Sequence, residues 1–225
     1  MKQVFTLFPL RAMRWLRHII KLTPLLPKSK QQWWEQHRYH RFAWAWWSFE
    51  WALMTLELLG VFELYESIIV LKPSCRPINS RERHLVASMF PDSFMSVPIW
   101  IDKRSYIICP KTKIAYVSFH TINVWGSMRG FHFLHEVTHV WHYKQMGAVY
   151  IAKALYAQFT SAGYNYGGIV ALLEQREFLQ YNLEQQADII ADTYRLRQAK
   201  RTLWGEATIH DLPIYEQVVA GVGVA

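Results

Sequence analysis

Apolar and polar positions along the 225 residues change character near residue 71. Residues 42–71, FAWAWWSFEWALMTLELLGVFELYESIIVL, are the most apolar stretch of the chain and predict one long helix with a wide apolar face. Glu50 and Glu57, seven residues apart, fall on one side of it. With Glu63 and Glu66 they argue against a transmembrane span, since an acidic residue at the centre of a membrane helix costs about 2–3 kcal/mol. Pro, Ser, Asn and charge then gather in LKPSCRPINSRER, residues 71–83, which places a boundary there. The chain therefore divides into a helical extension, residues 1–76, and a second unit, residues 77–225. In that unit RERHLVASMF predicts a short helix with Ser80 at its N-cap and Pro91 as its stop. VPIWID (97–102) and IAYVSF (114–119) predict two strands of a small sheet. Helical patterns follow over 131–146, over 147–159 and, as one or two helices, over 169–200. The expected fold is α+β and mostly α: a small sheet, two facing helices and an N-terminal helical extension.

The helical stretch FHFLHEVTHVWHYKQM, residues 131–146, carries the chemistry. His135 and His139 stand one turn apart with Glu136 beside them, the pattern H-E-x-x-H. Two imidazoles at that spacing can share one zinc ion, and the adjacent glutamate can take a proton from an attacking water. Phe133, Leu134, Val137, Val140 and Trp141 form an apolar stripe on the opposite side, so the helix can be buried while its histidines face a cleft. An aromatic core helix with incidental histidines would bury unpaired imidazoles, which is costly. His132 and His142 lie near the same face and are assigned to the surroundings of the site, not to the metal.

Two imidazoles leave a third ligand to be found. In YNLEQQADIIADTYRLR, residues 181–197, Glu184 and Asp188 are one turn apart, and Ala187 and Ala191 let this helix approach the histidine helix closely. Glu184 then completes a His₂Glu set, and Asp188 can accept the second ring N–H of a ligating histidine. An exposed helix whose acids pair with Arg195 or Arg197 is the competing reading, and Glu174 and Glu177 are alternative ligands.

HEVTHVWH, followed 45 residues after His139 by NLEQQAD, resembles the gluzincin pattern of zinc metallopeptidases. Residues 77–200 are similar to minimal zinc-protease-like domains of bacterial secretion-associated and toxin-associated proteins. The resemblance implies Zn²⁺ on His135, His139 and Glu184, with Glu136 as general base and Asp188 behind a ligand. It implies hydrolysis of a peptide or protein substrate that pairs with the strand at 114–119. No residue matches the oxyanion donor of that family, although Tyr164, Tyr166, Tyr181, Tyr194 and His210 are available. The resemblance does not extend to the first 70 residues. A secretion-linked or membrane-associated binding module on the same scaffold, with little or no turnover, is the alternative.

Composition modifies this picture in three ways. At 52% hydrophobic and 16% aromatic, the chain is neither disordered nor of low complexity. The net charge of +8 resides in residues 1–41, with nine Lys or Arg and one acid, so it describes the extension and not the site. Trp15, Trp33 and Trp34 beside Arg14, Arg17, Lys28 and Lys30 suit an anionic membrane surface or an acidic protein partner through residues 1–71, and equally a basic helix packed on its own domain. No specific nucleic-acid motif accompanies the charge. Cys75 and Cys109 offer one pairing and no disulfide framework. Arg11 interrupts the apolar run VFTLFPL and no small-residue cleavage site follows, which reads as an amphipathic segment and not a cleaved signal. The expected location is cytoplasmic or peripheral to a membrane, with non-classical export left open.

Overall fold

Gly60, with φ at +71°, divides the apolar N-terminal stretch where the sequence pattern predicts one continuous helix. A left-handed φ suits glycine and interrupts helical geometry, so the computed structural model has α2 (Ala43–Leu58) and α3 (Val61–Ile69) after α1 (Lys2–Ile20). It describes residues 2–20, 43–106, 114–159, 163–174 and 177–220. Lys28, Lys30, Trp33, Trp34 and Cys109 lie outside them.

The chain continues through β1 (Cys75–Pro77), α4 (Ser80–Ala87), β2 (Trp100–Asp102), β3 (Tyr116–Ser118) and β4 (Thr121–Asn123). Helices α5 (Gly130–Met146), α6 (Val149–Phe159), α7 (Gly168–Leu173), α8 (Leu183–Arg197) and α9 (Leu212–Ala220) complete it. The architecture is α+β and mostly α, as the pattern predicts. The sheet has four strands in the order β1-β2-β4-β3, with β2 and β4 parallel and the other pairs antiparallel. The two predicted strands are present but shorter. β1 lies inside the stretch read as a boundary loop, and β4 is short enough that no periodicity announces it.

Ser80 is not the N-cap of α4. Asn79 is: its side chain accepts from Glu82 N at 2.9 Å, and Glu82 Oε2 in turn accepts from Asn79 N at 2.8 Å. A glutamate at the third helical position closes this reciprocal pair only with the residue three before it. Arg76 then grips both Glu82 oxygens at 2.7 Å, tying the helix start to β1.

One apolar core lies between the sheet, α4, α5 and α8, with Val86, Ile122, Leu134, Val137, Ile189 and Leu196 fully buried. Each such side chain contributes about 1.5–3 kcal/mol relative to exposure. A second cluster joins Leu53 and Phe62 of the N-terminal helices to Phe119 of the β3–β4 turn and to Tyr143, Ala148 and Tyr150. Polar links reinforce it. Glu66 receives His120 N at 2.7 Å and His120 Nδ1 at 2.9 Å, and Glu57 Oε2 receives Ala148 N at 3.1 Å. Gly147, at φ +72°, leaves room for that carboxylate, since a Cβ there would stand 2.6 Å from it.

The basic residues of α1 are largely engaged within the molecule. Arg11 is buried and pairs with Glu57 and Glu63, Arg14 donates to Gln145 O at 2.8 Å, and His18 stacks on Trp47. Arg14 thus lies at the C-terminal end of α5, where a cation complements unpaired carbonyls. Beyond α1's cover, Leu59, Leu64, Ile68 and Leu71 remain 60–80% exposed.

Candidate metal centre

The site is built on α5 and α8, the most extensively packed pair of helices. Ala187 and Ala191 are fully buried, as close approach requires. Asn182 caps α8 by accepting from Gln185 N at 2.9 Å while Gln185 Oε1 accepts from Asn182 N at 3.1 Å, which starts the helix just before Glu184. The apolar stripe of α5 is buried as its pattern predicts.

Three ligand-type atoms converge. His135 Nε2 and His139 Nε2 are 3.3 Å apart, and Glu184 Oε2 is 3.3 Å from each. Corners of a tetrahedron whose centre lies about 2.0–2.1 Å away are about 3.3–3.4 Å apart. The triangle therefore has the size of one face of a zinc coordination sphere. Glu184 Oε2 is buried without a hydrogen-bond partner among the described residues. An orphaned buried carboxylate oxygen is costly unless a cation compensates it.

Each converging residue is held by its other polar atom. Trp204 Nε1 donates to Asp188 Oδ2 at 2.6 Å, and Asp188 Oδ1 accepts from His135 Nδ1 at 2.7 Å. This fixes a His135 proton on Nδ1 and turns Nε2 toward Glu184 and His139. Gln158 Nε2 donates to Glu184 Oε1 at 2.9 Å, leaving Oε2 for the centre.

The third support is a relay. Gln186 Nε2 donates to Tyr181 O at 2.7 Å, so Gln186 Oε1 accepts from His142 Nε2 at 2.9 Å. Burial lowers the pKa of His142 to about 3, so it is neutral and its Nδ1 is an acceptor facing His139 Nδ1 at 3.4 Å. The His139 Nδ1 then carries a proton, and its Nε2 is left facing the centre.

The electrostatics agree. Burial disfavours a charged His135, yet Asp188 and Glu184 outweigh it and raise its pKa to about 10. Burial alone would raise Glu184, but His139 and His135 hold it well below the usual carboxylate range. The two carboxylates thus favour positive charge at this cluster, either a second proton on His135 or a cation that takes its place at Nε2. Glu136 is buried on the same helix, and burial pushes its carboxyl up, which makes it a stronger base than an ordinary glutamate.

The other predicted candidates separate clearly. His132 is exposed, whereas His142 is fully buried behind His139. Glu174 and Glu177 are exposed and outside the cluster. Tyr166 bonds Asp192 and Tyr215, Tyr181 bonds Ala171 O, and Tyr194 lies over Gly130. Tyr164 is the tyrosine beside the cluster, its ring centroid 5.9 Å from that of His135. Its hydroxyl is pushed up first by burial and then by Glu184, Glu136 and Asp188, so it keeps its proton and remains a donor. Gln158, Gln186 and Trp204 escape the sequence reading because isolated Gln and Trp residues carry no spacing signal. Comparison with protein-family models, with curated proteins and with solved structures finds no match to this chain.

Proposed function

We propose that the chain is a zinc-dependent hydrolase, a metallopeptidase acting on a peptide or peptide-like amide. The observation that carries this reading is the set of three converging ligand atoms, mutually 3.3 Å apart, each on a side chain held by a separate partner on its far side. Zinc held by His135, His139 and Glu184 would supply a Lewis acid for the scissile carbonyl and acidify a water at the remaining position.

The chain's own residues do the rest. Glu136 accepts the proton of the attacking water and delivers it to the leaving amine, a task its raised pKa suits. Tyr164 donates to the carbonyl oxygen as charge develops there, the interaction the sequence left unassigned. Among the described strands β3 lies at the edge of the sheet and packs against α5, which places it beside the candidate site where an extended substrate would run.

The test is Glu136→Gln assayed against a mixed peptide pool with zinc quantified in parallel. Hydrolysis is expected to fall at least a thousandfold while zinc stays near one per chain. Wild-type protein that takes up no stoichiometric zinc would refute the proposal.

A second reading has its own support. Among the described residues no helix is long and apolar enough to cross a membrane. The exposed Leu64, Ile68 and Leu71 stripe of α3 and its following turn nevertheless suits an interfacial surface and fits a membrane-associated binding module. Leu64→Glu with Ile68→Glu should then abolish sedimentation with anionic vesicles, and equal sedimentation of both forms would exclude it.

A further inference from the structure

A cavity of about 810 Å³ opens at the N-terminal end of α5, and none of His135, Glu136, His139 or Glu184 lines it. Its volume is that of a small-molecule site, typically about 300–1,000 Å³. The lining has two chemically distinct parts. Ile101, Val124 and Phe133 are buried and form an apolar floor, and Tyr194 makes an aromatic wall. Tyr194 reaches the helix backbone because residue 130 is glycine: a Cβ there would stand 3.2 Å from the Tyr194 hydroxyl.

The rim is cationic. The acid of the lining, Glu82, is neutralised by the two-pronged contact with Arg76. Arg81, Lys103, Arg129 and Lys200 come from four different segments and face the same space. Among the described residues none of the four makes an ion pair. Four like charges gathered around a low-dielectric floor repel one another unless an anion is present. The helix adds to this field. α5 has 17 residues, and its N-cap Arg129 makes no side-chain capping bond, so the first N–H groups are left without intrahelical acceptors beside the cavity.

We propose that this cavity binds a phosphate group carried on an apolar or aromatic body. The floor and the Tyr194 wall take the body. The four cations and the start of α5 take the phosphate, whose several oxygens match guanidinium and backbone N–H donors together. The site is separate from the metal centre and stands whether or not the chain is a hydrolase. Because both are built on α5, a ligand here rests on the helix that carries His135 and His139.

The test uses the full chain and trinitrophenyl-ATP, a fluorescent nucleotide with an aromatic body. Saturable binding, competed by inorganic pyrophosphate, is expected. Arg129→Glu and Lys200→Glu should each weaken it at least tenfold. Lys153→Glu, the same charge change on α6, should leave it within twofold. Absence of saturable binding, or equal weakening by Lys153→Glu, overturns the proposal. A measurement on the unaltered protein does not depend on how the variants fold: pyrophosphate should slow acetylation of Lys103 and Lys200 at least fivefold relative to Lys153, and unchanged rates overturn it. Phosphatidic acid vesicles at matched phosphate concentration distinguish the sources. Competition by pyrophosphate alone assigns a soluble ligand, competition by both assigns a lipid headgroup, and competition by neither overturns the proposal.

Discussion

His142 bears on the candidate metal centre through its contact with His139. Its buried ring is neutral, and Gln186 fixes its proton on Nε2, so it can only accept from His139. His142→Leu should remove that acceptor and lower zinc affinity about 10–100-fold, the range for losing a partner behind a ligating histidine. Chelator competition checks this, and unchanged affinity would refute the relay. The spacing of His142, three residues after His139, places it near the ligand face but does not distinguish a rim residue from a support. That distinction comes from Gln186, 44 residues away in the chain. The same holds for Glu184, whose candidacy is legible from Asp188 one turn on. Its orphaned Oε2 and its bond to Gln158 are not.

At the scale of elements, charge pairs decide how helices start and dock. Arg76 holds Glu82 below its ordinary pKa of 4.5, aided by the bond from Asn79 N, so the folded value lies below the unfolded one. The resulting stability is present above pH 4.5 and is lost as pH falls through the lowered folded value. Glu82→Gln should therefore cost about 1 kcal/mol at neutral pH, given partial exposure, and flatten this acid limb. Urea unfolding at several pH values checks both parts. Arg11 presents a harsher case, because its partner Glu57 is buried and burial already pushes that carboxyl up. Arg11→Ala leaves an uncompensated buried acid and should cost about 3–5 kcal/mol in urea unfolding. A loss below about 1 kcal/mol would show that α1 is not anchored this way.

For the whole molecule, a metal ion held by His135, His139 and Glu184 would cross-link α5 and α8, each of which also contributes to the main core. An ion that binds only the folded chain, at a thousandfold excess over its Kd, adds about 4 kcal/mol. Zinc should raise the melting temperature by roughly 10 °C for a chain of this size. A chelator should reverse the shift, and Glu184→Gln should abolish it. A zinc shift that survives Glu184→Gln would place the ion elsewhere. The N-terminal helices enter the same frame through Leu53, Phe62 and the Glu66–His120 link to the β3–β4 turn, so their docking and the support of α5 are one packing problem.

What the sequence alone determined was local. Helical periodicity set the mostly helical class and α5 with its buried stripe, and the i, i+4 spacing set His135 with His139 and Glu184 with Asp188. Tertiary structure decided everything that depends on distant residues meeting. It supplied the 3.3 Å triangle, the ring protons fixed by Asp188 and His142, the placing of Tyr164 beside His135, and the cationic cavity drawn from four segments. The physical reason is range. Periodicity and capping are written in neighbours a few residues apart. Hydrogen-bond partners and fields are set by where packing brings side chains separated by tens of residues, and no spacing rule records that.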